Sequence, residues 1–500
     1  MIDEGIAALD VVVEVRERAL VEEFPKVFEK AGGFHAVIGN PPYIRVQTMT
    51  EWAPLEVGLY KKYYQTAAQG NYDIYVVFVE RSLKLLNEDG LLGFILPHKF
   101  FNAQYGEALR KKIATGRHLI KLIHFGDQQV FHGATTYTCL LFLSKMGSPS
   151  FEFHRVRNLQ EWRTNKAAET GKIPANSISD QEWNFSLGTE GKVLDKIRAA
   201  GAPLGQLVSH IAQGIRTSAN EVYVLDVVKE EESSYVARSE QLGKEVKVEK
   251  AFASRFLQGR DIKPYHVAWS DKIVIIPYRV SNGGLNLIGE KELQRTAPAT
   301  YQYLVENKAV LEARERNRMK GSGWHGFVYP KNIEVMKRPK ILVPDIAARA
   351  SFALDEKGEF TFTSGYGIIL KREIQESPKY ILGLLNSKVL DFFLKKVSTA
   401  LRGGFFRYFS QYVEQLPIRR LDLTRKEERA AHDGVVGLVD QTLRLRAQRH
   451  HVRTDHGKNL LDRQLQSALN EIDKLAYALY GLSKEEVAEV EKQTPLYERP

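Results

Sequence analysis

One cysteine, Cys139, stands in a chain of 500 residues. An internal disulfide is therefore excluded, and so is a cysteine-based zinc site. Such usage fits a reducing cytoplasm. Cys139 lies in the apolar run Cys139-Leu140-Leu141-Phe142-Leu143, which makes it a buried structural thiol rather than a nucleophile. No hydrophobic run approaches the length of a membrane span, and Met1-Ile2-Asp3-Glu4 opens on acid rather than on a basic signal region. The expectation is a cytoplasmic protein with no membrane partner. His450, His451 and His456 have neither cysteines nor suitably spaced carboxylates beside them, so no metal site is expected. There is no internal repeat and no low-complexity tract.

An apolar fraction of 43% and an aromatic fraction of 10% describe a folded chain. Its length calls for two or three domains. Lys and Arg outnumber Asp and Glu by 71 to 61, and the pI near 9.2 favours a polyanionic partner such as nucleic acid. Over this length a surplus of +10 is also compatible with a merely basic soluble protein.

The chain is organised around Phe34-His35-Ala36-Val37-Ile38-Gly39-Asn40-Pro41-Pro42-Tyr43. Ala36-Val37-Ile38 reads as the end of a buried strand. Gly39 frees the backbone and two prolines stiffen the turn after it. An amide, a carbonyl with no competing N–H and an aromatic ring are thereby held at the carboxyl edge of a sheet, where open α/β sheets bind ligands. That group suits a planar, amino-bearing ring.

Residues 45–70 read as a long loop with some helix. A helix follows, starting near Asn71 and ending at Asn87-Glu88-Asp89-Gly90, and then a strand, Leu91 to Pro97. A helix from Tyr105 to Ile113 precedes strands at Leu119–Phe125 and Tyr137–Leu143. This order is half of a doubly wound sheet. Residues 147–200 read as a polar connector, 201–420 as a separate mixed α/β domain, and 421–500 as a helical segment. Ser377 to Lys396 is expected as one helix, and Arg314-Glu315-Arg316-Asn317-Arg318 as a solvated helix face.

Asn40-Pro41-Pro42-Tyr43 resembles the catalytic motif of the S-adenosylmethionine-dependent amino-methyltransferases. The resemblance implies that Asn40 and Pro41 hold the two hydrogens of an exocyclic amine and aim its lone pair at the methyl group, with Pro42 fixing the turn. Tyr43 would stack on a base flipped out of the duplex. The motif is shared with protein-glutamine and ribosomal-RNA methyltransferases. Gln129-Val130-Phe131 before Ala134-Thr135-Thr136-Tyr137-Thr138 resembles the later motif of N6-adenine DNA methyltransferases. There Phe131 would stack on the other face of the base; its alternative reading is a core aromatic between two strands.

Further on, Gln213 to Asn220, Leu257 to Tyr265, Leu384 to Lys388 and Gly403 to Arg407 resemble the specificity domain of type II and type IIG restriction–modification methyltransferases. The implied architecture is α/β: a partial Rossmann-like methyltransferase sheet (1–146), a mixed α/β DNA-specificity domain and C-terminal helices. Arg216, Arg260, Lys263, Arg402 and Arg407 are the candidate contacts to double-stranded DNA. For each, a solvated charge or a structural ion pair is the competing reading.

Two features depart from the family. His35 stands where relatives usually carry an acid. The glycine loop that holds S-adenosylmethionine in this class lies well upstream of Asn-Pro-Pro-Tyr, and nothing before Asn40 forms one. Gly321-Ser322-Gly323 and Gly365-Tyr366-Gly367 fall in the specificity domain, too late to replace it. The resemblance therefore implies the C-terminal part of an adenine-specific DNA methyltransferase. S-adenosylmethionine would be its methyl donor, and an upstream methyltransferase or nuclease polypeptide its partner. The other reading is a non-catalytic DNA-recognition module.

Overall fold

Apolar runs separated by helix-period segments build the first sheet of the computed structural model, which describes residues 22–131, 136–281 and 284–494. Its strands are β1 (Phe34–Gly39), β2 (Leu86–Pro97), β3 (Leu119–His124), β4 (Thr138–Ser144), β5 (Ser150–Arg155) and β6 (Glu169–Pro174). They lie in the order β1-β2-β4-β3-β5-β6. β1 and β2 are parallel, with Gly39 opposite Phe94, while β4 runs antiparallel to both β2 and β3. β3 therefore points the same way as β1 and β2, and all three end at one edge. The helix Tyr75–Leu85 joins β1 to β2 and buries Tyr75, Val76, Val79 and Leu83. Glu107–Thr115 follows β2 and buries Leu109 and Ile113.

Three expectations change here. β1 forms, but it is not buried: Ile38 is 86% exposed, and His35 and Ala36 are exposed too. It is the last strand of the sheet among the described residues, with Phe24 and Phe28 packing edge-on against its Phe34. Residues 45–70 are mostly helical, as Val46–Trp52 and Pro54–Tyr63, the second helix opening on its proline. The expected connector is folded. β5 pairs in parallel with β3, and β6 pairs with β5. Phe151, Phe153 and Trp183 join the core of this sheet, because aromatics at alternate strand positions find a buried face.

This first unit reaches Gly191 and includes Thr399–Gly403; Lys192–Ser398 and the residues from Gly404 onward form the second. One sheet of the second unit has the strand order Lys244–Glu249, Ser234–Ser239, Val224–Glu230, Lys272–Ile275, Ala253–Leu257, Phe360–Phe362. A four-stranded sheet runs Ala353–Asp355, Lys340–Val343, Tyr366–Leu370, Val208–Gln213. Lys340 and Asp355 form a fully buried ion pair at 2.6 Å between neighbouring strands of that sheet. The Asp355 carboxylate also accepts the backbone N–H groups of Glu359 and Phe360.

The helix expected over Ser377–Lys396 is two, Pro378–Leu385 and Lys388–Val397. Asn386 breaks it by turning its amide to the Phe352 backbone, accepting from N–H and donating to C=O, both at 2.9 Å. Ser387 then caps the new helix. Residues 421–500 are not a separate segment. The helices Lys426–His451 and Asp455–Leu479 place Val435, Val439, Leu465, Leu469 and Ile472 in one core with Ile381, Leu385 and Phe393.

Candidate active site

At the carboxyl end of β1 the Asn40 side chain is exposed and makes no hydrogen bond among the described residues. Pro41 is buried and Pro42 exposed. The Tyr43 hydroxyl donates to the Ile95 carbonyl of β2 at 3.0 Å, which fixes the half-buried ring. Burial pushes its pKa up to about 12, so the phenol stays neutral. Behind it stands an aromatic frame. The Tyr75 ring meets Tyr43 edge-on at 6.4 Å, and its hydroxyl pairs with that of Tyr105 at 2.9 Å. Tyr105 donates in turn to Asp73, whose backbone bridges that of Arg45. The result is an unused amide and a pinned ring projecting from rigid strands.

Phe131 follows β3 and so lies in a loop at the same sheet edge. That loop is held by Gln128, which donates to the Val156 carbonyl at 2.8 Å and accepts from the Leu159 N–H, and by Arg163, which donates to the Val130 carbonyl at 3.0 Å. The Phe131 ring is half-buried and packs on no other ring among the described residues, unlike a core aromatic. Ala134 and Thr135 lie outside the described residues.

Sequence reasoning missed two histidines at this edge. His98 directly follows β2 and His124 ends β3; their rings lie 4.4 Å apart. Phe101 and Tyr137 stack against His98 at 5.9 and 6.2 Å. Burial lowers the His98 pKa to about 4. It also holds that of His124 well below the usual imidazole value, with help from His98 and Arg155. Both rings are neutral at pH 7, and His98 Nδ1 has no partner among the described residues. Their position at the carboxyl ends of parallel strands was the available signal. Cys139, fully buried, has its thiol pKa pushed well up by burial.

The second unit gathers most of the expected basic residues. Gly214 approaches the Phe362–Thr363 backbone so closely that a Cβ would sit 2.6 Å from it, and this approach sets the exposed Arg216 on the rim. Burial and the Asp345 carboxylate raise the Tyr366 pKa, and the Arg216 and Arg407 charges pull it down. Arg407 lies over the Phe409 ring at 4.8 Å, and Phe409 meets Tyr366 edge-on at 6.3 Å. Exposed Arg260 adjoins Gly259, which lies against Pro344 and Asp345. Lys263 is also exposed, in a short hairpin (Ile262–Lys263 with His266–Val267) anchored by the buried Tyr265. Arg402 is not among them. It belongs to the first unit, where its backbone N–H donates to the Tyr137 hydroxyl at 3.0 Å. The turn after it uses Gly403 and Gly404 at φ +85° and +77°, which glycine adopts without strain.

Residues 8–131 match the Eco57I restriction-modification methylase family, and residues 254–418 match the TaqI-like C-terminal specificity domain. The chain is thus similar to a restriction–modification methylase in its first part and to a TaqI-like specificity domain further on. Over 470 residues, 90% of this chain, it is 28% identical to the type II restriction enzyme and methyltransferase RM.Eco57I of Escherichia coli, covering 46% of that protein. It is 25% identical to the type II methyltransferase M.PaeR7I of Pseudomonas aeruginosa, over 78% of this chain and 65% of the relative. The chain thus spans about half to two thirds of these relatives. Among solved structures, the type IIL restriction-modification enzyme MmeI in complex with DNA superimposes with a TM-score of 0.56 at 13% identity. The match covers 91% of this chain and 56% of that one, and it shows a shared fold. The methylase match overlaps the Asn40–Tyr43 edge, and the specificity-domain match contains Arg260, Lys263, Arg402 and Arg407.

Proposed function

We propose that the chain is the base-positioning and DNA-recognition part of a site-specific DNA methyltransferase acting on N6 of adenine in a restriction–modification system. The observation that carries this reading is the exposed, unpaired Asn40 amide beside the pinned Tyr43, in a methylase segment followed by a specificity domain. The adenine amine is a weak nucleophile because its lone pair is delocalised into the ring. Asn40 Oδ1 and the Pro41 carbonyl each accept one amino hydrogen, which frees and aims that lone pair. Tyr43 and Phe131 hold the faces of the flipped base, and stacking returns roughly 1–3 kcal/mol of the unstacking cost. Arg216, Arg260, Lys263, Arg402 and Arg407 contact double-stranded DNA.

S-adenosylmethionine is the methyl donor in this reading, and type II methyltransferase relatives support it. Among the described residues no strand lies outside β1. An upstream methyltransferase polypeptide supplies that side, and the RM.Eco57I name favours a nuclease in the same system.

Transfer of a tritiated methyl group to unmethylated duplex DNA tests the reading. The chain alone should transfer little, the chain with its upstream polypeptide should be active, and the labelled product should be N6-methyladenine. Label on cytosine, on ribosomal RNA or on a protein glutamine would overturn the substrate. DNA binding that never leads to methylation in either preparation would favour a non-catalytic recognition module.

A further inference from the structure

The segment Arg314–Arg318 is not a solvated helix face. After the helix Lys308–Glu312, three consecutive non-glycine residues take positive φ: Glu315 +48°, Arg316 +59° and Asn317 +67°. Such a turn persists only where its surroundings impose it, and Arg314 does so here. Its buried guanidinium donates to four carbonyls: Leu311 at 2.7 Å, Thr217 at 3.0 Å, Trp324 at 2.7 Å and Gly326 at 2.8 Å. The charge that looked solvated is a staple.

What the staple holds out is basic. Arg316 and Arg318 are exposed, and Arg318 lies over the Tyr329 ring at 5.7 Å. The Tyr329 backbone pairs with that of Arg216, and Asn332 of the same loop donates to the Gln213 carbonyl at 2.8 Å. The turn therefore stands beside the exposed Arg216. None of Arg216, Arg316 and Arg318 has a carboxylate partner among the described residues. Arg316 on the imposed turn, Arg318 just after it and Arg216 beside it leave a fixed backbone, so little backbone freedom is lost when a ligand engages them. Guanidinium is also the side chain that reads guanine with two parallel hydrogen bonds.

We propose that the turn Glu315–Asn317 is a base-reading element, in which Arg316 contacts a base edge while Arg216 and Arg318 hold flanking phosphates. The inference rests on the second unit being a DNA-specificity domain, and it names the residues that carry the specificity. Lys320 and Lys331, exposed on the same segments, extend the phosphate-facing charge.

The full chain and its variants are incubated with a duplex pool carrying a randomised window, and the bound fraction is sequenced. Affinities for the selected duplex and for a scrambled duplex are then measured across a salt series. Arg316→Ala should relax the preference at one G·C position and weaken the selected duplex about tenfold, with the scrambled duplex unchanged. Arg316→Lys should behave like Arg316→Ala, because a point charge cannot replace the fork. Arg216→Ala and Arg318→Ala should weaken both duplexes alike and each reduce the salt slope by about one. Circular dichroism of these exposed-site variants controls for folding. If the wild-type chain selects a sequence and Arg316→Ala selects the same one with equal affinity, the proposal is overturned alone. If the wild-type chain binds no duplex, the specificity-domain reading falls and the proposal with it.

Discussion

Asn40 makes no hydrogen bond among the described residues, and this makes it separable from stability. Asn40→Ala should leave the melting temperature within about 1 °C of wild type, while methyl transfer in the reconstituted enzyme falls by ~100-fold or more. Tyr43 differs, because its hydroxyl is tied to Ile95. Tyr43→Phe should cost roughly 1 kcal/mol in urea unfolding and keep most of the activity, since the ring remains; Tyr43→Ala should lose both. Asn40 to Tyr43 was legible in the sequence because two prolines and a glycine fix a turn through local chemistry. His98 and His124 were not, since a lone histidine on a strand carries no periodic signal and only the fold brings the two together. They carry a pH prediction. The His98 pKa is depressed to about 4 in the folded state. As pH falls below the unfolded value near 6.5, the unfolded chain takes up the proton first, and stability is lost down to about pH 4. Thermal melts between pH 7.5 and 4 should show this fall, and it should be shallower in His98→Phe. It should not vanish, because His124 shifts in the same direction.

At the scale of elements, what was legible followed periodicity. The helix Tyr75–Leu85 and the strands β3 and β4 lie close to where apolar spacing put them, whereas β2 already begins at Leu86 and takes in Asn87–Gly90, expected as the helix end. What failed was decided by distant partners. The break at Asn386 depends on the Phe352 backbone, 34 residues away. The turn at Glu315 depends on carbonyls at Thr217 and Gly326. The Lys340–Asp355 pair is of the same kind: an ordinary strand-starting lysine whose burial no local pattern announces. Removing one partner leaves the other charge buried without its mate, so Asp355→Asn should destabilise the second unit by roughly 3–5 kcal/mol, measured by urea unfolding. Replacing both with apolar residues of similar volume should recover much of that loss.

At the scale of the whole molecule, the exposed outer face of β1 is the least protein-like surface described. Among the described residues β1 pairs on one side only, with β2, and its Ile38 is 86% exposed. The isolated chain should therefore self-associate. Ile38→Lys should reduce that association in sedimentation velocity, and should also weaken rescue of methyl transfer by the upstream polypeptide. That Phe34–Gly39 forms a strand was legible from its sequence; its place at the end of the described sheet and its exposure were not, since a run of Ala, Val and Ile reads alike on an inner strand and on an outer one.

The chain passes between its two units three times, after Gly191, after Ser398 and after Gly403. The second unit is therefore not a cassette appended at one seam. A chimera cut only near Gly191 would import a foreign loop to meet Tyr137, whose hydroxyl accepts from the Arg402 backbone. Grafts that keep the recipient's own Thr399–Gly403, or that move Tyr137 along with the donor loop, are the ones whose two halves still match.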